Sequence, residues 1–290
     1  MDDEEVAKAV EERRVWLEGH LHQAAERLGT DLSGDEVVNT YDMRSAGSRA
    51  TEQDGTEVWL RVVLSVPDYQ PACRWNGNID ANTITGVPKP RVLRWADWHD
   101  TTDYRGGDML LRGEVMTLAP GTVIAPEGSL PRDPGLPSSW WDNLNQALTA
   151  LAAHPVPDHE PLNTVDYVIN NTRAHFDVEI DRAVFDQVTW TTAHNDLHWG
   201  NLTGPELCVL DWESWGRAPA GYDASTLLCT SLQHPPTATR IREICQPVLD
   251  NHSGRIALLG AICRYLALPN EPEEPLRKLG ADTIIKLMST

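Results

Sequence analysis

Basic residues are scarce in this chain of 290 residues. Lysine and arginine together number 24, against 43 aspartate and glutamate residues, and the formal net charge is −19 at pH 7. Such an acidic chain is unsuited to broad contact with a phosphate backbone, so we expect no nucleic-acid partner. The charge favours encounter with a cationic small molecule. Acidity that only maintains solubility is an equally good explanation.

Long apolar runs and cysteine pairs are also missing. No uninterrupted apolar stretch approaches the roughly 20 residues of a membrane span. The acidic start Met-Asp-Asp-Glu-Glu is the opposite of the basic start of a signal peptide. The cysteines are odd in number, widely spaced and without a C-x-x-C pair, which argues against a disulfide framework or a zinc knuckle; they are Cys73, Cys208, Cys229, Cys245 and Cys263. We therefore expect a soluble cytoplasmic protein with no membrane partner.

The first half of the chain is predicted to be a helix followed by a small sheet. Apolar residues recur at helical spacing through residues 1–28, which indicates a packing helix. Turns are predicted over Ser45–Ser48 and over Gln53–Thr56, and a brief helix between Asn76 and Thr85. Strand-like segments predict a small, mostly antiparallel sheet with strands at 37–43, 58–64, 91–95 and 109–117.

The second half is predicted to be mainly helical. After a Pro- and Gly-rich loop, apolar residues return at helical periods, over residues 140–151, 165–188, 222–232, 238–250 and 255–268. A short strand, Val188–Thr192, interrupts these helices. We therefore predict an α+β chain in three parts, with a helical extension at 1–32, a sheet domain at 33–118 and a helical domain at 119–290.

One cluster of polar residues has the spacing of a phosphoryl-transfer site. Asp196 is followed after five residues by Asn201, and Asp211 comes after the apolar stretch 208–210. Phosphoryl transfer needs positioning and charge neutralisation more than covalent help. Asp196 suits the carboxylate that orients a hydroxyl and accepts its proton. Asn201 and Asp211 offer the oxygen ligands that Mg²⁺ prefers.

These residues, with Gly216-x-x-Pro219-x-x-x-Asp223 after them, resemble the aminoglycoside phosphotransferase and choline kinase-like superfamily. The resemblance implies a two-lobed protein-kinase-like fold, with the N-lobe at 33–118 and the C-lobe at 119–290. It also implies transfer of the γ-phosphate of ATP or GTP, with Mg²⁺, to a hydroxyl of a small molecule. Asp196 would be the catalytic base, and Asn201 and Asp211 the metal ligands.

Supporting residues surround this motif. His194 is expected to brace the loop backbone, His198 to be structural or near the substrate, and Asp223 to anchor the loop or cap a helix. A zinc pair of His194 and His198 is disfavoured, because no third ligand has motif spacing. Nearby tryptophans are core residues or line a pocket; they are Trp199, Trp212 and Trp215.

The nucleotide-binding half departs from the family pattern. Arg61 stands where the family has a lysine, and Asp80 is the candidate acidic partner of that position. Ser48 belongs to a degenerate phosphate-covering loop. The segment around Glu114 and Met116 resembles the interlobe hinge, whose backbone would meet adenine. Asn195 replaces the family's usual glycine.

Three functions stay open at this point. The first is a kinase of a small cationic, aminoglycoside-like acceptor, favoured by the acidic charge. The second is a Ser/Thr kinase of a peptide natural-product precursor. The third, motivated by Arg61 and the degenerate loop, is a nucleotide-binding pseudokinase or scaffold. The sequence indicates neither an oligomeric state nor a choice between ATP and GTP.

Overall fold

The computed structural model of the chain describes residues 3–38, 43–65, 74–101, 108–158, 161–268 and 271–289. The chain forms two compact units. The sheet unit is Met1–Asn82 with Pro90–Ala119, and the helical unit is Thr83–Lys89 with Pro120–Thr290. The predicted α+β class is confirmed, while the three-part division of the chain stays a prediction. Within the described ranges, no helix has the length and apolar character needed to span a bilayer.

The sheet unit is built on one antiparallel sheet in the order β1-β3-β4-β6-β5, with β2 also paired to β3. A long N-terminal helix precedes the sheet, and a single-turn helix lies between β4 and β5. The elements are α1 (Asp3–Leu28), β1 (Asp31–Leu32), β2 (Val37–Val38), β3 (Ser45–Thr51), β4 (Glu57–Leu64), α2 (Gly77–Asp80), β5 (Val92–Asp100) and β6 (Met109–Thr117).

Helix α1 covers one face of this sheet. Leu17 and Leu21 are fully buried in one cluster with Leu60 and Val62 of β4. Each buried leucine contributes about 1.5–3 kcal/mol relative to an exposed one. Because side chains alternate between the faces of a strand, Arg61 lies on the face opposite α1. The predicted packing helix is therefore confirmed, and it belongs to the core of the sheet unit.

The predicted turn over Ser45–Ser48 is wrong. These residues form the first half of β3, whose pairing with β4 runs without interruption from Ser45 to Thr51. The small residue Gly47 is required by packing, since a Cβ there would lie 2.7 Å from the ring of Trp59. Small residues here therefore indicate close approach within a sheet.

Other segment predictions hold with shifted boundaries. The hairpin turn is confirmed, with Glu52 and Thr56 hydrogen-bonded and Gly55 at a φ of 87°. The brief helix is α2, continued by a 3₁₀ turn. The strand predicted at 91–95 is longer and ends at Asp100. Of the strand predicted at 37–43, Val37–Val38 is confirmed, and residues 39–42 lie outside the described residues.

The helical unit contains six helices and four short strands among its described residues. They are β7 (Thr122–Val123), α3 (Ser138–Ala153), α4 (Val165–Phe176), β8 (Trp190–Ala193), β9 (Thr203–Gly204), β10 (Gly216–Pro219), α5 (Tyr222–Cys229), α6 (Pro235–Leu249), α7 (His252–Leu266) and α8 (Glu273–Met288). The helix predicted over 165–188 is too long, because α4 ends where Asp177 adopts a left-handed φ of 55°. Helix α8 was not predicted, since its buried face includes Gly280 and Thr283 and so weakens the apolar period.

The contact between α6 and α7 yields a stability prediction. A Cβ at Gly254 in α7 would lie 1.8 Å from the carbonyl oxygen of Val248, so Gly254→Ala forces backbone to move and should cost about 1–3 kcal/mol. Gly19→Ala in α1 is the control, because nothing lies within 4 Å of its Cβ position and alanine favours helix. Thermal unfolding should show a lower Tm for the first variant only. Equal Tm values would contradict the packing described.

Candidate active site

A two-stranded ribbon and a helix position the loop that carries the polar motif. Strand β8 pairs antiparallel with β10, Ala193 lying opposite Gly216. The loop begins directly after β8, and β10 leads into α5, whose first turn contains Asp223. Asp223 accepts two backbone hydrogen bonds from the loop, from the amides of His194 (2.7 Å) and Asn195 (3.0 Å). One buried carboxylate therefore fixes the entrance of the loop.

Burial and backbone shape explain the residues at this entrance. Burial raises the pKa of Asp223, although His194 and the two backbone amides favour its charged form. Asn195 adopts a left-handed φ of 68°, which glycine reaches freely and asparagine tolerates better than most residues. Asparagine is therefore a suitable residue for the left-handed backbone at position 195. The amide nitrogen of the Asn195 side chain donates to Ser214 O at 3.1 Å.

His194 is buried and bound through both ring nitrogens. Nε2 lies 2.8 Å from the carbonyl oxygen of Leu210, and Nδ1 accepts a hydrogen bond from the amide of Asp196 at 3.3 Å. Burial lowers the pKa of His194, in accord with a neutral ring that donates at Nε2. These contacts hold the loop against the segment before Asp211, and they leave the ring no role as a metal ligand.

Asn201 and Asp211 are brought together by backbone pairing. Leu210 N donates to Asn201 O at 2.9 Å, and the preceding pair Leu202 and Val209 forms a β-bridge. The side-chain nitrogen of Asn201 donates to Asp196 O at 2.9 Å, which turns the amide nitrogen toward the loop. Asp211 itself has a left-handed φ of 55°. The two predicted metal ligands thus lie on adjacent, mutually bonded segments.

The donor set fits magnesium. Among the described residues, no group of three or more His, Cys, Asp or Glu side chains could hold a metal ion. An amide oxygen and a carboxylate, completed by water and phosphate oxygens, are typical of Mg²⁺ sites that form with a nucleotide. Asn201 Oδ1 and the Asp211 carboxylate are such donors.

Asp196 is a partly exposed carboxylate beside Arg264 and His198. Its side chain is 24% exposed, Oδ1 accepts a hydrogen bond from Arg264 Nη2 at 2.5 Å, and Oδ2 lies 3.7 Å from His198 Nε2. Burial disfavours its charge, but Arg264 and then His198 outweigh burial and hold the pKa of Asp196 well below its usual value. The group is therefore ionised at neutral pH. His198 is fixed in turn, because its Nδ1 accepts from Gly200 N at 3.1 Å.

Arg264 was not predicted from the sequence. It lies 68 residues beyond Asp196, in the last turn of α7. No spacing rule connects the two positions, since the fold alone brings them together. The one available signal is an arginine within the apolar run that ends α7, where Ile262, Cys263 and Tyr265 are buried.

In the sheet unit, Arg61 faces a buried acid. Arg61 Nη1 lies 3.7 Å from Glu114 Oε2, which also accepts a hydrogen bond from Asn78 Nδ2 at 2.9 Å. The two charged residues stand directly opposite each other on β4 and β6. Asp80 was predicted as the acidic partner of Arg61. The structure shows that Glu114 is an acidic partner of this arginine. Knowledge of the strand register would have revealed the pair.

Three other predicted nucleotide contacts occupy strand interiors. Glu114 and Met116 lie in β6 with a paired strand on each side, so their backbone groups serve the sheet. The first residue beyond this pairing is Leu118. Ser48 is buried in β3, and its hydroxyl donates to Gly34 O at 2.9 Å. These positions do not favour adenine or phosphate contacts, and the three assignments stay predictions.

The motif tryptophans are core residues. Trp199 is fully buried, stacks on Trp140 with ring centroids 5.9 Å apart, and donates through Nε1 to Ser231 Oγ at 2.9 Å. Trp212 is also buried and donates to Val209 O at 2.8 Å. Trp215 is buried against His154. All three rings are therefore buried in the core beside the loop, which was one of the two roles predicted for them from the sequence.

Comparison with known proteins finds solved structures that share the fold of this chain. No protein-family model and no curated protein matches the chain. A thermostable mutant of aminoglycoside phosphotransferase APH(4)-Ia, in complex with AMP-PNP and hygromycin B, matches with a TM-score of 0.55 and 12% identity over 91% of this chain and 96% of that chain. Macrolide 2'-phosphotransferase MphH from Brachybacterium faecium matches with a TM-score of 0.53 and 15% identity, over 90% and 96% of the chains. The chain has the two-lobed fold of these phosphotransferases.

The fold predicted from the motif resemblance is thereby confirmed. At 12 and 15% identity, the likeness to these aminoglycoside and macrolide phosphotransferases extends to the fold alone.

The anchoring of the loop by Asp223 can be tested by Asp223→Asn. An amide can turn only one oxygen toward the two donors, so one buried N–H loses its acceptor, at a cost of about 1–3 kcal/mol. Urea denaturation should show this loss, and hydrogen exchange should quicken at the amides of His194 and Asn195. Asp142→Asn, at an exposed position of α3, is the control. Unchanged exchange at both amides would contradict the anchoring role.

Proposed function

We propose that this protein transfers the γ-phosphoryl group of ATP or GTP to a hydroxyl of a small molecule. One observation carries the proposal. The ionised carboxylate of Asp196 lies on a loop bonded to Asn201, and Asn201 is bonded to the segment that ends in Asp211. A base and two oxygen ligands on one braced loop are what phosphoryl transfer requires.

Asp196 orients the acceptor hydroxyl in this mechanism. The acceptor oxygen bonds to the γ-phosphorus, the bond to the bridging β–γ oxygen breaks, and the nucleoside diphosphate leaves. The hydroxyl proton passes to Asp196. Because Arg264 keeps this carboxylate a weak base, its main contribution is orientation, which suits a loose transition state. Asn201 and Asp211 would hold Mg²⁺, which would neutralise charge on the phosphate oxygens.

Arg61 is the proposed nucleotide-phosphate contact of the sheet unit. Its pairing with buried Glu114 fixes the guanidinium on the face opposite α1. A guanidinium can serve a carboxylate and phosphate oxygens together, because its donors point in several directions in one plane. Arginine can therefore take the role that the resemblance gives to lysine.

An amino-bearing acceptor suits the charge of the chain. The net charge of −19 raises the local concentration of cations. An aminoglycoside or a similar natural product is the acceptor class we propose. The setting is the cytoplasm, and the described cysteines agree with a reducing compartment, since they are free and buried; they are Cys208, Cys229, Cys245 and Cys263.

The catalytic role of Asp196 has a direct test. Asp196→Asn should lower kcat for magnesium-dependent phosphoryl transfer by about 10²–10⁴-fold, because the neutral amide neither accepts the proton nor orients the hydroxyl as a charged acceptor does. Release of nucleoside diphosphate, with ATP and GTP against a panel of aminoglycosides, measures this. Asp158→Asn, at an exposed site in the helical unit, should keep wild-type kcat. Equal kcat for the two variants would contradict the role. Nucleotide that raises Tm without any turnover would instead support the pseudokinase.

The metal role of Asp211 is tested by a magnesium titration. Asp211→Asn removes a charged ligand, so the Mg²⁺ concentration at half-maximal turnover should rise at least tenfold, a loss of about 1.4 kcal/mol in metal binding. Asp158→Asn again serves as the control. An unchanged magnesium requirement would remove Asp211 from the metal site.

A further inference from the structure

Arg264 reaches the loop from α7 with two separate nitrogens. Nη1 donates to the backbone carbonyl of Asn195 at 2.7 Å, and Nη2 donates to Asp196 Oδ1 at 2.5 Å. One planar group therefore joins the main chain of one residue to the side chain of the next. Because the guanidinium is rigid, this double contact fixes both the loop and the side-chain rotation of Asp196.

The guanidinium is itself held in place. Its side chain is 32% exposed, and its carbon lies 6.0 Å from the ring centroid of Tyr265. Tyr222, at the start of α5, is the other buried tyrosine beside it. Arg264 thus projects from α7 beside the start of α5.

This arrangement distinguishes the two oxygens of Asp196. Oδ1 is occupied by Arg264, whereas Oδ2 points toward His198, whose Nε2 is 3.7 Å away. A separation of 3.7 Å is longer than a hydrogen bond, so Oδ2 accepts none from His198 and keeps its lone pairs for an incoming hydroxyl. Without Arg264, rotation of the carboxylate would interchange the two oxygens.

We propose that Arg264 is a positioning residue that holds Asp196 with Oδ2 toward the acceptor hydroxyl. The inference rests on the phosphotransferase function proposed above. Arg264 acts through Asp196 and need not touch the substrate. Lysine cannot reproduce the double contact, since its single ammonium group lacks the two-pronged geometry.

Three substitutions test the role. Arg264→Met should lower kcat about 10–100-fold, because a misplaced reacting group costs up to two orders of magnitude, while the KM for nucleotide should change less than twofold. Arg264→Lys should fall between Arg264→Met and wild type. Methylguanidinium at millimolar concentration should restore part of the kcat of Arg264→Ala. The control is Arg255→Met, on the same helix, where the arginine contacts Lys286 O.

Hydrogen exchange gives a readout that is independent of activity. Peptides covering residues 194–201 should exchange faster in Arg264→Met than in Arg255→Met, with both proteins folded by circular dichroism. If the wild type transfers no phosphoryl group, the proposed function fails, and this comparison still tests the double contact.

Two results would overturn the assignment. The first is that Arg264→Met and Arg255→Met have equal kcat and equal rates of hydrogen exchange in the peptides covering residues 194–201. The second is a loss of kcat that Arg264→Lys does not lessen and methylguanidinium does not restore, which would give Arg264 a role in folding alone.

Discussion

The buried carboxylate of Asp223 is the constraint on which the site depends. It accepts hydrogen bonds from the backbone amides of His194 and Asn195, and so connects α5 to the loop that follows β8. Thr226, one turn further along α5, donates to Leu197 O at 2.9 Å. A loop between the two short strands β8 and β9 has little stability of its own. Hydrogen bonds between its main chain and a packed helix restrict the loop to one conformation before any substrate binds.

The sequence was most informative where function fixes both residue type and spacing. The interval from Asp196 to Asn201 and the apolar stretch before Asp211 predicted adjacent oxygen ligands, and the backbone bond between Leu210 and Asn201 explains that spacing. Strand β4 was also predictable, since it is rich in valine and alternates buried with less buried positions as far as Val62. In both cases the signal is local.

Contacts between distant segments could not be predicted in the same way. Arg264 meets Asp196 only because α7 packs on α5, and Glu114 meets Arg61 only through the register of β4 and β6. The small residues of β3 indicated a turn when read alone, whereas in the sheet Gly47 makes room for the ring of Trp59. Tertiary packing decided each of these cases, and a single sequence does not encode it as a pattern.

The proposed reaction moves the γ-phosphoryl group of a nucleoside triphosphate to a hydroxyl. Phosphorus NMR of the wild-type protein with Mg²⁺, ATP or GTP and amino-bearing alcohols follows both products of this reaction at once. We expect a new phosphomonoester resonance that grows in step with nucleoside diphosphate. Nucleotide that binds while neither phosphomonoester nor diphosphate forms, across the acceptor panel and with both nucleotides, would contradict it.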